Sequence, residues 1–185
     1  LYIEDDTMMP LMARAAKEAG ACAIRTNGVR DVIAIKEETD LPVIGLIKKA
    51  YNGFEQYITF TEEEVDDLVK AGADVIAMDC TLRNRIDGRT VSEFIKYVKN
   101  KYPRILFMAD IATLEEGINA YEAGIDIVGT TLSGYTDYTV KSENPDYKLV
   151  KDLCENIDIP VIAEGRIHYP NQAVEMFNLG AFSVV

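Results

Sequence analysis

AGADVIAMD at 71–79 and AGIDIVGTT at 123–131 carry one pattern twice: a glycine where a helix should stop, an aspartate, then an apolar run that ends on Asp79 or Thr131. LGAFSVV at 179–185 repeats its first half. Such Ala-Gly-x-Asp and Leu-Gly-Ala turns mark tight connections from helix to strand. The runs behind them are therefore strands, and working outward adds four more of the same kind. The full set is ACAIRT (21–26), PVIGLIK (42–48), DVIAMD (74–79), ILFMAD (105–110), DIVGTT (126–131), PVIAEG (160–165) and FSVV (182–185). All are apolar on both alternating faces and rich in Val and Ile, as buried parallel strands are.

Between them, 61–71, 90–101, 113–123, 146–156 and 170–179 place apolar residues at three- and four-residue spacing, the helical period. Thr61 with Glu64 and Thr113 with Glu116 fit capping boxes, Gly72, Gly124 and Gly180 sit at helix stops, and a further helix begins near Thr7. Strand and helix alternating in steps of about 25 residues predict an α/β chain, a single domain over 1–185, built as a TIM-type (β/α)8 barrel. An open doubly wound sheet is the competing architecture, but the connection style never changes along the chain. Seven strands are one short of eight, and the sequence opens on Leu1 just before a helix. The expectation is an incomplete barrel, with the first strand and the last βα loop and helix missing.

With 48% hydrophobic and 27% charged residues the composition is that of a globular chain and argues against disorder. Nineteen Lys and Arg against 31 Asp and Glu leave a net charge of −12, so no large basic face is expected for nucleic acid or lipid phosphates. A small anion held by local donors stays open. No apolar stretch approaches the roughly 20 residues of a membrane span, and no signal peptide is visible. The cysteines Cys22, Cys80 and Cys154 lie in apolar runs without metal-ligand spacing. They read as reduced packing residues of a cytoplasmic protein.

Almost every strand run ends on a polar residue: Arg25, Lys48, Asp79, Asp110, Thr131 and Glu164. Parallel strands open their carboxyl ends on one face, so residues far apart in sequence converge on one mouth. Counting back two positions gives small or apolar companions such as Ala23, Leu46, Ala77, Met108 and Gly129, so all six could point inward. Each residue alone reads as a solvated strand end or a cap. Together, a lysine, an arginine and several carboxylates are what proton transfer on an anionic substrate requires, with a buried lysine as base and a carboxylate to orient a hydroxyl or shuttle a proton. Lys49 should face outward.

GLIKKAY (45–51), YITFTEEEVDDL (57–68), VIAMDCTLR (75–83), MADIATLEEG (108–117), VGTTLSGYT (128–136) and VIAEGRI (161–167) resemble the N-acetylmannosamine-6-phosphate 2-epimerases of sialic acid catabolism. AIRTNGVRDVIAIKE (23–37) resembles the stretch around that family's early substrate arginine. The resemblance implies an isomerase that interconverts N-acetylmannosamine 6-phosphate and N-acetylglucosamine 6-phosphate at C2 without a cofactor. It makes Lys48 and Glu164 catalytic, and Arg25 and Asp110 binders of the sugar. Two departures are expected to matter. A glutamine of the family's first strand and a glycine-rich, arginine-containing phosphate motif of its last βα loop have no counterpart in 1–185, which predicts little turnover from these residues alone.

Thr131, Gly134, Tyr135, Gly165 and Arg166 complete the expected substrate-binding set. Gly165 either brings an amide to the phosphate or is a plain turn glycine. Gly134, Tyr135 and Thr136 belong to a polar loop, 133–144, that either closes over substrate or packs on the rim. His168, the single histidine, reads as a solvated loop residue. The acidic run 62–67 reads as the charged face of a helix, and Asp79 with Asp110 as a weak candidate for a divalent ion, so no metal is expected. The expected partner is a small phosphorylated amino sugar, with a homodimer left open. Two rivals remain: another phosphosugar isomerase or lyase of the phosphate-binding barrel group, with Lys48 as a Schiff base, or a fragment that only binds ligand or associates.

Overall fold

Strands that start behind a helix must fix their register at once, and two aspartates do this here. In a computed structural model that describes residues 2–3 and 6–185, Asp74 donates its N–H to the carbonyl of Val43 at 3.0 Å and accepts the Val43 N–H on Oδ2 at 2.8 Å. Asp126 makes the same closed pair with Phe107, at 3.2 and 2.9 Å. Each carboxylate also takes a lysine from the last turn of a preceding helix, Lys36 on Asp74 and Lys99 on Asp126. The repeated Ala-Gly-x-Asp turn thus satisfies backbone donors that would otherwise be buried unpaired.

Packing divides the chain into two compact units. The first, Leu1–Ala77 with Arg104–Leu106, holds β1 (Tyr2–Ile3), β2 (Asp6–Thr7), α1 (Met9–Glu18), β3 (Ile24–Asn27), α2 (Val29–Glu38), β4 (Val43–Leu46), α3 (Glu62–Ala71) and the start of β5 (Val75–Asp79). β1 and β2 form a separate antiparallel ladder. Gly45 in β4 shows how the helices cover the strand: a Cβ there would lie 3.0 to 3.1 Å from Ala73, Leu68 and Val32. Only glycine allows α2 and α3 to approach that closely.

The second unit, Met78–Pro103 with Phe107–Val185, holds the end of β5, α4 (Val91–Lys101), most of β6 (Leu106–Asp110), α5 (Leu114–Glu122), β7 (Ile127–Gly129), α6 (Tyr147–Asn156), β8 (Val161–Ala163), α7 (Pro170–Asn178) and β9 (Ser183–Val184). Gly117, in mid-helix, is another close approach, since a Cβ there would stand 2.4 Å from Leu153 of α6. Val150, Ala163, Met176 and Ala181 form a core cluster between α6, β8 and α7.

The parallel ladder runs β3-β4-β5-β6-β7-β8-β9, each strand beside its successor. A doubly wound sheet turns back at a switch point; this order never does. The fold is α/β of the TIM-barrel type. The expected strands all form, most of them trimmed by one to three residues at their ends, while β3 starts three residues late and runs one residue further, to Asn27. The capping boxes at Thr61 and Thr113 form, and so does a third at Thr90 with Glu93.

The helix expected near Thr7 forms as α1 from Met9, with a proline in its first turn and no side-chain cap. One helix was not expected. α2 escapes the sequence reading because VRDVIAIKEE is rich in β-branched residues, and its N-cap is Gly28 with no capping side chain. Burial of Val32 and Ile35 outweighs that weak local propensity.

Asp126→Ala should lower unfolding free energy by about 1–3 kcal/mol, because the Phe107 amide loses its acceptor. Asp126→Asn keeps an acceptor oxygen and should cost less than half as much. Urea denaturation of both variants distinguishes a backbone lock from a charge effect: equal losses would assign the stability to the Lys99 ion pair.

Candidate active site

In the first unit, Arg25 lies within β3, half-buried and in register with Ile44. Two residues on, on the same face of the strand, the Asn27 Oδ1 accepts the backbone N–H of Lys48 at 2.7 Å. Sequence reasoning missed Asn27, although the alternation from Arg25 points to it. β4 ends at Leu46, so Lys48 stands two residues beyond the strand, in an isolated antiparallel bridge with Ile58. Lys48 is exposed, so the burial expected of a lysine base is not observed. Lys49 is also exposed, its ammonium 5.1 Å from the centre of the Tyr51 ring.

The backbone around Lys48 is held by a strained residue. Thr59 has φ of 30°, a conformation that β-branched residues avoid, and it is fully buried. Its hydroxyl accepts the Ile47 N–H at 3.0 Å while its own N–H reaches the Ile47 carbonyl at 2.8 Å. Glu64 ties the next stretch down: it accepts from the amides of Phe60 and Thr61 and from the Tyr51 hydroxyl at 2.8 Å. Strain kept by this many hydrogen bonds is typical of a functional segment.

In the second unit Asp79 and Asp110 are the last residues of β5 and β6, and both are buried. Burial pushes the Asp79 carboxyl above the ordinary aspartate range, opposed by the Thr81 hydroxyl at 2.6 Å and by Arg83. Arg83 donates to Asp79 Oδ2 at 3.0 Å and to the Thr81 hydroxyl at 2.9 Å. Asp79 therefore belongs to a structural ion pair. Among the described residues, no group of three or more His, Cys, Asp or Glu is placed to hold a metal ion.

Thr131, Asp110 and Glu164 come together. The Thr131 Oγ1 lies 2.7 Å from Asp110 Oδ1 and 3.1 Å from Glu164 Oε2. A threonine hydroxyl has one proton, so both contacts are hydrogen bonds at once only when one of the two carboxyls carries a proton. Glu164 is itself positioned by Thr130, whose hydroxyl accepts its N–H and donates to its carbonyl, each at 3.0 Å. Gly129 makes room for the cluster: a Cβ there would sit 2.1 Å from Met108 Cε, 3.2 Å from Thr131 Oγ1 and 3.4 Å from Asp110 Oδ1.

Gly134, Tyr135, Gly165 and Arg166 also gather in this unit. The Arg166 guanidinium is 5.2 Å from the Tyr135 ring centre, and its Nε donates to the Asn144 carbonyl at 2.9 Å. A Cβ on Gly134 would stand 2.6 Å from Arg166 Nη1. The loop between β7 and α6 is fastened by Ser133 to Asp146 at 2.7 Å and by the Tyr138 hydroxyl to Glu116 at 2.6 Å. Burial, then the Glu116 carboxylate, keep the Tyr138 hydroxyl protonated well above the usual tyrosine range. His168 is exposed, with its ring beside Tyr169.

A family profile described as putative N-acetylmannosamine-6-phosphate epimerase matches residues 9–185. The chain belongs to this family. A relative from Caldanaerobacter subterraneus subsp. tengcongensis, bearing the same description as a 2-epimerase, is 52% identical over 178 residues, which is 96% of this chain and 75% of that protein. Another, from Clostridioides difficile, is 47% identical over 178 residues, 96% of this chain and 79% of its own. The solved structure of the N-acetylmannosamine-6-phosphate 2-epimerase from Clostridium perfringens superposes with a TM-score of 0.91 at 45% identity, covering 100% of this chain and 82% of that one. A thiamine phosphate pyrophosphorylase from Pyrococcus furiosus, at 19% identity and a TM-score of 0.64, covers 95% of this chain and 77% of its own and shares the fold alone.

Gly129→Val should cut turnover by at least about tenfold, since its bulk has to displace the Met108 methyl and still crowds Thr131 and Asp110. Gly129→Ala meets the Met108 methyl first and should lose less. Steady-state turnover of the two folded variants checks the order; equal activity in Gly129→Val and the parent would separate the cluster from catalysis.

Proposed function

We infer that the chain interconverts N-acetylmannosamine 6-phosphate and N-acetylglucosamine 6-phosphate, an isomerase reaction of amino sugar and sialic acid catabolism. Membership of the epimerase family over residues 9–185 carries this reading, and the Asp110–Thr131–Glu164 cluster supports it with the proton-handling groups the chemistry needs. In the open-chain sugar, C2 lies beside the C1 aldehyde. Removing the C2 proton leaves an enolate stabilised by that carbonyl, and returning a proton to the opposite face inverts C2. Nothing is oxidised or reduced and no atom is lost, so the carbonyl itself is the electron sink.

In this proposal Lys48 takes and returns the C2 proton, and Glu164 orders the sugar or passes a proton through Thr131. Arg25 and Asp110 hold hydroxyl or N-acetyl groups, while Arg166 with Gly134, Tyr135 and Gly165 completes the binding set. Lys48 is exposed, so the bound sugar has to be what shields it from water. The substrate is a phosphorylated amino sugar, a charged metabolite that does not cross membranes unaided, and this supports placing the protein in the cytoplasm. Among the described residues no helix is long and apolar enough to cross a membrane.

A complete version of the enzyme should carry deuterium from D2O into C2 of either sugar phosphate, and Lys48→Met should stop it. Glu164→Gln should lower turnover by at least about tenfold, the low side of what a positioned acid or base contributes. Proton NMR of the C2 position reads both; near-normal exchange in folded Lys48→Met removes the lysine from the reaction.

A further inference from the structure

At the end of the β3–β4 ladder Gly28 donates its N–H to the Leu46 carbonyl at 2.8 Å. Continuing that parallel ladder by one bond would take the Lys48 N–H to the Gly28 carbonyl. That carbonyl is already in use: Gly28 is the N-cap of α2 and accepts the Val32 N–H at 3.1 Å, which opens the helix. The start of α2 therefore removes the strand acceptor at the residue assigned to the C2 proton. The Asn27 side chain replaces it, its Oδ1 taking the Lys48 N–H at 2.7 Å.

The other edge of the same backbone is held by residues 57–59. Thr59 donates its N–H to the Ile47 carbonyl at 2.8 Å, and Lys49 gives its N–H to the Tyr57 carbonyl at 3.1 Å, the two bonds that flank Lys48 in its bridge to Ile58. Successive residues of an extended chain direct their backbone groups to alternate sides, so these bonds leave the Lys48 N–H for the β3 side, where Asn27 meets it. One edge is thus fixed by the buried, positive-φ Thr59 and the other by a single side-chain oxygen. Asparagine is disfavoured in strands, and its place as the last residue of β3 calls for a use of its side chain. Lys48 is exposed and carries its ammonium on a flexible four-carbon stem, so the reach of that nitrogen is set by where the backbone stands.

We propose, on the basis of the epimerase reading above, that Asn27 is a positioning residue of the C2 proton transfer. Its carboxamide oxygen stands in for the strand partner that α2 takes away, and it sets the place from which Lys48 reaches C2. Asn27 acts through the Lys48 backbone and not through the sugar. What position 27 must keep is an acceptor, and the amide donor is dispensable.

Asn27 is exposed at a strand end, where folding should tolerate substitution. In the complete enzyme, Asn27→Ala should lower kcat for C2 deuterium incorporation by at least about tenfold and change KM by less than about threefold, the mark of a misplaced base. Asn27→Asp keeps an acceptor oxygen, loses the amide donor and should retain at least about a third of the parental kcat. Amide hydrogen exchange followed by NMR reads the same contact without turnover. The Lys48 amide should exchange at least about tenfold faster in Asn27→Ala and within about threefold of the parent in Asn27→Asp. The Ile24 and Asp74 amides, bonded to the Pro42 and Val43 carbonyls, should stay as slow as in the parent. The proposal is overturned if Asn27→Ala keeps the parental kcat, or if the Lys48 amide exchanges alike in all three proteins. It is overturned as well if Asn27→Asp is as slow as Asn27→Ala, which assigns the role to the amide donor, or if the Ile24 and Asp74 amides speed up too, which makes Asn27 merely structural. A parent that leaves C2 unexchanged overturns the epimerase reading and this positioning role with it. A parent that exchanges C2 beside an equally active Asn27→Ala overturns the positioning role alone.

Discussion

Backbone amides at the ends of buried parallel strands must find acceptors, and in this chain carboxylates supply them. Asp74 and Asp126 receive the amides of Val43 and Phe107 where strands begin. Glu64 and Glu116 act at the other ends. Each is the glutamate of a capping box, each is buried, and each accepts two amides on one oxygen and a tyrosine hydroxyl on the other. Glu116 also accepts the Leu82 amide, so one carboxylate joins the loops after β5, β6 and β7. Part of the chain's excess of acidic residues is therefore structural, used to terminate the ladder where water cannot.

In the proposed reaction, carboxylates at strand ends also handle the proton. Other strand-end carboxylates meet side-chain hydroxyls and cations. Asp79 is taken up by Thr81 and Arg83. Asp110 and Glu164 instead approach one hydroxyl, that of Thr131, from two neighbouring parts of the second unit. Two carboxyls around one proton-bearing group form an arrangement in which a proton can be held or handed on at little cost in geometry. Gly129 is small for the same reason that Thr131 is polar: both serve the space between Asp110 and Glu164.

The seven strands, six of the helices and the identity of most strand-end residues were legible in the sequence, because parallel strands and amphipathic helices leave strong local patterns. α2 was not, since burial of Val32 and Ile35 decides it against its β-branched composition. The exposure of Lys48 was not either, because an apolar run that reaches position 47 does not reveal that the strand stops at Leu46. Asn27, Thr59 and the Glu116 hub are contacts across long sequence separations. No local pattern contains them.

The central claim is that Thr131 couples Asp110 and Glu164 into one functional group. A double-mutant cycle on C2 proton exchange, with Thr131→Val, Glu164→Gln and the double variant, measures that coupling directly. The account predicts that the double variant is little worse than the poorer single one, an interaction energy of at least about 1 kcal/mol. Effects that add to within about 0.5 kcal/mol, the behaviour of independent sites, would contradict it.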